Sequence, residues 1–170
     1  MNALSRRESV AYYVPHDLVR FEKVSSIEDR LFETATMHGI SKAEIGTVQI
    51  VSSNGRVSNG IASMLRDQGI IAYCSSKLDE LNPSDVLIVD IDALGDLLNV
   101  TEQLRAMRLA SPSLITIILS ESFRKDDYQT SRLSVCDASL KLPVSFPRLE
   151  QALMEADLNN MVWQDLCKEP

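Results

Sequence analysis

Ser84-Asp85-Val86-Leu87-Ile88-Val89-Asp90-Ile91-Asp92 is the stretch that decides the fold. Its centre, Val86 to Val89, is an unbroken apolar run between carboxylates. Such a run reads as a strand buried on both faces, the habit of parallel sheets covered by helices. The strand ends at Asp90, so the carboxyl end of a buried element delivers a carboxylate.

Working outward, the same grammar repeats. Upstream, Val48 to Val51 is a short apolar strand that runs into Ser52-Ser53-Asn54-Gly55, which is turn and helix-cap chemistry. Val57, Ile61, Met64 and Leu65 follow at helical spacing, and Gly69 closes that helix. Ile70 to Cys74 reads as a second strand. Residues 77–82 have room for a turn or two of helix before Pro83 stops it. Downstream, Leu94, Leu97, Leu98, Val100, Leu104, Met107 and Leu109 mark a helix closed by Ser111-Pro112. Leu114 to Leu119 is a fourth strand, and residues 125–133 suggest a weak polar helix. Ala138 to Leu142 is a fifth strand. Pro147, Leu149, Leu153 and Ala156 mark a last amphipathic helix.

Five strands alternating with helical connections pair in parallel through right-handed crossovers. The expected class is α/β: a flavodoxin-like, doubly wound five-stranded parallel sheet of order 2-1-3-4-5. Ligands of such sheets sit at the carboxyl ends of the strands, near the switch between strands 1 and 3. Those ends carry Ser52, Ser53, Asp90, Asp92, Ser120 and Lys141. The expected organisation is an N-terminal, mostly helical extension or linker over 1–46, the sheet domain over 47–159 and a tail over 160–170. In the extension, Ser26-Ile27-Glu28-Asp29 looks like a helix start, with Leu31, Phe32, Thr36 and Ile40 lining one face of a helix that ends near Gly39. Val10 to Val14 reads as a short strand. His16 and His38 lack metal-site spacing.

The bulk numbers exclude other classes. The chain has 170 residues, 45% of them hydrophobic, and a net charge of −7. That charge opposes nucleic acid and anionic membranes, both of which need a positive field. No run is long enough for a membrane span, and no apolar stretch backs the N-terminal arginines as in a secretory signal. Three widely spaced cysteines without a CxxC point to a reduced, cytoplasmic protein, with Cys74 and Cys136 as buried thiols.

The order of elements and three motifs resemble the receiver domains of bacterial two-component systems (CheY-like). The first is Asp85 to Asp90, matching the family's aspartates that open and close strand 3. The second is Ile117-Ile118-Leu119-Ser120-Glu121. The third is Leu140-Lys141-Leu142-Pro143-Val144 with Leu149, similar to the family's Lys-Pro turn. The resemblance implies that Asp90 is the phosphoacceptor position, that Ser120 and Lys141 are candidate phosphoryl contacts, and that Mg²⁺ assists.

The departures matter as much. Ser52 and Ser53 stand where the family carries an acidic pair, and hydroxyls replace carboxylates poorly around hard Mg²⁺. Asp92 and Ser53 are left as the candidate metal ligands. Leu142 precedes Pro143, and a shift of one along a strand turns Lys141 to the other face. The pattern resembles shortened, degenerate pseudo-receivers, free-standing or cut from a hybrid histidine kinase. Three functions are expected from this. One is a regulatory module without turnover that acts by contact with a signalling protein (a histidine kinase, phosphotransfer protein or regulator), or as a homodimer. The second is a true phosphoacceptor using Asp90 with Mg²⁺. The third is a binder of a phosphate-containing cofactor or nucleotide at Ser52, Ser53, Asn54, Gly55 and Arg56, where a polar loop opens a helix. A partner face is expected around Phe123, Tyr128, Val144, Phe146 and Leu149.

Overall fold

The computed structural model describes residues 46–168. The readings of an extension helix, of a strand at Val10 and of the two histidines lie outside them. The elements are β1 (Thr47–Val51), α1 (Gly55–Arg66), β2 (Ile71–Ser75), β3 (Val86–Asp90), α2 (Leu97–Ala110), β4 (Ile115–Ser120), β5 (Ala138–Lys141) and α3 (Phe146–Lys168), with 3₁₀ turns at Ile91–Ala93 and Thr130–Arg132. All pairings are parallel and the order is β2-β1-β3-β4-β5, as the sequence predicts.

Strand alternation sorts the core into two layers. Val48, Ile50, Val86, Ile88, Ile117, Leu119, Ala138, Leu140 and Leu142 point to a first face, under Ile61 and Leu65 of α1 and Leu149 and Leu153 of α3. Val51, Leu87, Val89 and Ile118 point to the second face, under Val100 and Leu104 of α2. Helices therefore cover both faces, and β3 is buried throughout. Gly69, at φ +79°, ends the turn after α1, where a side chain would be strained. Gly46 lies so close to Asp85 that a Cβ would collide with Oδ2. Asp85 needs that space: its carboxylate accepts from the Thr47 amide at 2.7 Å and hydroxyl at 3.1 Å.

Four expectations are corrected. Residues 77–82 form no helix. Leu78 and Leu81 pack on the second core layer, and Asn82 donates to Gln49 Oε1, so tertiary contacts hold this segment as turns. Residues 125–133 hold only the 3₁₀ turn, because Asp127 bridges Ser139 beside β5 through paired backbone hydrogen bonds. Cys74 is exposed; Cys136 is buried as expected. The last helix continues to Lys168, through residues read as a tail. Buried polar groups hold that extension. Asn159 donates to the carbonyls of Tyr128 and Asp137, and Asn160 to those of Pro112 and Leu114.

Candidate functional site

The carboxyl ends of β1 and β3 meet, and strand parity decides what faces what. Ser52 and Asp90 fall on the first face, one step past Val51 and Val89. Asp90 is 3% exposed, and Ser52 Oγ donates to its Oδ2 at 2.7 Å. Its other oxygen, Oδ1, is buried and has no hydrogen-bond partner. Ser52 is itself fixed, because its Oγ also accepts from the Asn54 amide at 3.0 Å. Ser53 turns outward and donates to the Ala93 carbonyl at 2.5 Å, tying the loop after β1 to the turn after β3.

Asp92, in that turn, is engaged with the end of β4. Ser120 Oγ lies 2.7 and 2.9 Å from its two oxygens, and the Glu121 amide donates to Oδ2 at 2.6 Å. The site is thus two separate hydroxyl–carboxylate pairs, Ser52 with Asp90 and Ser120 with Asp92. The Ser120–Asp92 pairing was not anticipated. A carboxylate two positions past a buried strand, near a strand-end serine, was its only sequence signal.

Lys141 is not brought to Asp90. Leu140 and Leu142 both belong to the first layer, so the exposed Lys141 side chain between them leaves from the second face. No ion pair joins it to a carboxylate among the described residues. Leu142, buried, holds the position on Asp90's face. The Lys141 amide is bound by Asp126, whose carboxylate Arg148 grips through Nε at 2.7 Å and through Nη2. That Arg148 hydrogen bond holds Asp126 below the usual carboxylate range against its partial burial.

The loop from Ser52 to Arg56 is largely self-satisfied. The Ser52 amide binds the Ser75 carbonyl, the Asn54 amide binds Ser52 Oγ, and the Arg56 amide binds Asn54 Oδ1. Asn54 thereby caps α1, and the Ser52, Asn54 and Arg56 amides are committed within the fold rather than turned to a phosphate. The Arg56 side chain lines a groove of about 360 Å³ with Met64, Glu121, Leu142 and Val144.

The residues do not fit the Mg²⁺ that receiver chemistry implies. No group of three His, Cys, Asp or Glu side chains stands close enough to hold a metal among the described residues. Both Asp92 oxygens are already engaged, and Ser52 binds Asp90 where a second carboxylate would add charge.

Of the expected partner face, Leu149 is buried, Tyr128 and Val144 pack on the first layer and Phe123 on the second. Among the described residues the exposed large apolar side chains are elsewhere: Ile71, Tyr73, Leu97, Leu98, Leu109, Met154 and Met161.

With this geometry in view, solved structures give the class. The chain is similar to a response regulator receiver domain from Clostridium thermocellum, with TM-score 0.53 and 16% identity, covering 69% of this chain and 98% of that one. It is similar to a response regulator receiver protein from Burkholderia phymatum, with TM-score 0.52 and 20% identity, covering 65% and 94%. It also resembles a putative pilus assembly-related protein from Burkholderia pseudomallei, with TM-score 0.54 and 15% identity, covering 72% and 96%. At these identities the likeness establishes the fold: a flavodoxin-like, all-parallel α/β domain. More narrowly, it is the five-stranded arrangement seen in CheY-like receiver domains. No protein-family model matches the sequence, and no curated protein does. Among the described residues no helix is long and apolar enough to cross a membrane.

Proposed function

We propose that this chain is a degenerate receiver-like signalling module that acts by contact with a signalling protein, without turnover and without phosphoryl transfer of its own. The observation that carries this reading is the 2.7 Å hydrogen bond from Ser52 to Asp90, which puts a neutral hydroxyl where a metal-binding charge would be needed. Leu142 on the same face and the occupied Asp92 support it. The partner class, a histidine kinase, phosphotransfer protein or regulator, follows from the resemblance to receivers. The test is amide NMR of the full chain titrated with Mg²⁺ and then beryllofluoride. The reading expects no saturable shifts at Ser52, Asp90 or Ser120; saturable shifts at all three would overturn it.

One observation favours the second reading, phosphorylation of Asp90. Its Oδ1 is buried without a partner, and a buried polar atom left unpaired costs about 1–3 kcal/mol. The same titration separates the two readings.

A further inference from the structure

The second face of the sheet is incompletely covered. Ile71 is 55% exposed and Tyr73 41%. Both lie on edge strand β2, and their register partners Thr47 and Gln49 place them on the second face. The crossover from β2 to β3 would ordinarily lay a helix there. Here residues 76–85 form only bends and turns. Leu78 and Leu81 reach the second core layer and Asn82 is held at Gln49, so this segment shields the interior strands and leaves β2 bare. The outer edge of β2 is a poorer docking site than its face. Arg66 donates to the Ala72 carbonyl at 2.6 Å and blocks that edge position.

The chain's own attachment identifies the occupant. Residues 1–45 join the sheet at Gly46, and Thr47 is the register partner of Ile71, across a strand spacing of about 4.8 Å. Residues 26–39 carry Ile27, Leu31, Phe32 and Ala35 at helical spacing behind the start signal Ser26 and Asp29. A helix over that span is about 21 Å long, against about 16 Å for β2. Residues 40–45 reach up to about 20 Å, enough to bring such a helix back from the start of β1. We infer that residues 26–39 dock in cis as an amphipathic helix on the second face of β2, over Ile71 and Tyr73, and supply the layer that the β2–β3 crossover lacks. The short tether favours this over a second copy, because it holds the segment at a millimolar-scale effective concentration.

Hydroxyl-radical footprinting of the full chain, read by mass spectrometry, tests this. Tyr73 is protected in the native protein, and the double substitution Leu31→Asp, Phe32→Asp raises its labelling roughly fivefold as the face opens, with Tyr128 unchanged. Equal Tyr73 labelling in the two proteins overturns the inference. So does protection that grows with concentration alongside a dimeric mass in light scattering, which would assign the face to a second copy. The reciprocal variant guards against misfolding. Ile71→Asp speeds amide exchange over residues 27–39 while β3 amides stay slow, and unchanged exchange in that segment contradicts the docking.

Discussion

Replacing Arg108 by Met should cost the fold about 3–5 kcal/mol, the range for breaking a buried ion pair by removing one partner. Arg108 is fully buried, and Asp137 is 1% exposed. The guanidinium binds Asp137 at 2.6 and 2.7 Å, and the carbonyls of Leu133 at 2.8 Å and Leu114 at 3.2 Å. It also lies over the Trp163 ring, 5.1 Å from the centroid. Methionine refills most of the methylene stem, so the cavity contribution is small and the orphaned carboxylate dominates. The Thr116 amide at 2.7 Å is then the main partner left to Asp137. The loss is large against a total stability of about 5–15 kcal/mol. Urea unfolding followed by circular dichroism and Trp163 fluorescence measures it. The pH dependence gives an internal check. Burial pushes the Asp137 carboxyl up, against the pull of Arg108. Without Arg108 the folded-state value rises further, so the charged form penalises the fold at neutral pH and the penalty fades as falling pH protonates the group. The deficit should therefore shrink as pH falls toward the raised value of the Asp137 carboxyl, and adding Asp137→Asn should recover part of it. A loss under about 1 kcal/mol, independent of pH, would mean that the pair does not hold α2, β4 and α3 together.

Three further outcomes follow from the same geometry. Asp126→Asn should flatten the acid limb of the stability profile. The Asp126 carboxyl is held below its ordinary value of 3.8 by Arg148, so its contribution is present above that value and is lost as pH falls through the lower folded-state value; an unchanged acid midpoint would refute this. Cys74 and Cys167 are exposed, whereas burial pushes the Cys136 thiol up, so alkylation of the native protein should modify two thiols quickly and Cys136 only after unfolding. Ser52→Asp places a second carboxylate within hydrogen-bond distance of Asp90, and should lower stability by about 1–2 kcal/mol in chelator. Mg²⁺ should restore it in the variant while leaving the native melting temperature unmoved, which differential scanning fluorimetry reads directly.

The strands and their order were legible because parallel buried strands are written as continuous apolar runs, and Val86 to Val89 and Ile115 to Leu119 are such runs. The positions of Ser52, Asp90, Lys141 and Leu142 were also legible, since period-two alternation fixes the face once a strand is located. The connections were not. The polar segment 125–133 gave up helix for the Asp127–Ser139 bridge, a contact between residues whose pairing no local pattern encodes. The length of α3 was missed because it rests on Asn159 and Asn160, buried polar residues satisfied by distant carbonyls and invisible to apolar periodicity. Cys74 departs from the usual burial of free cysteines because it lies near the end of edge strand β2, at the margin of the face under α1, where its thiol meets the Ser58 carbonyl at 3.7 Å.

The most direct test of the central proposal, that Asp90 occupies the phosphoacceptor position without working as one, is intact-mass spectrometry of the full chain after incubation with acetyl phosphate and Mg²⁺, beside Asp90→Asn. The account predicts no phosphoryl adduct on either protein. A stoichiometric adduct on the native chain that is absent from Asp90→Asn would contradict it.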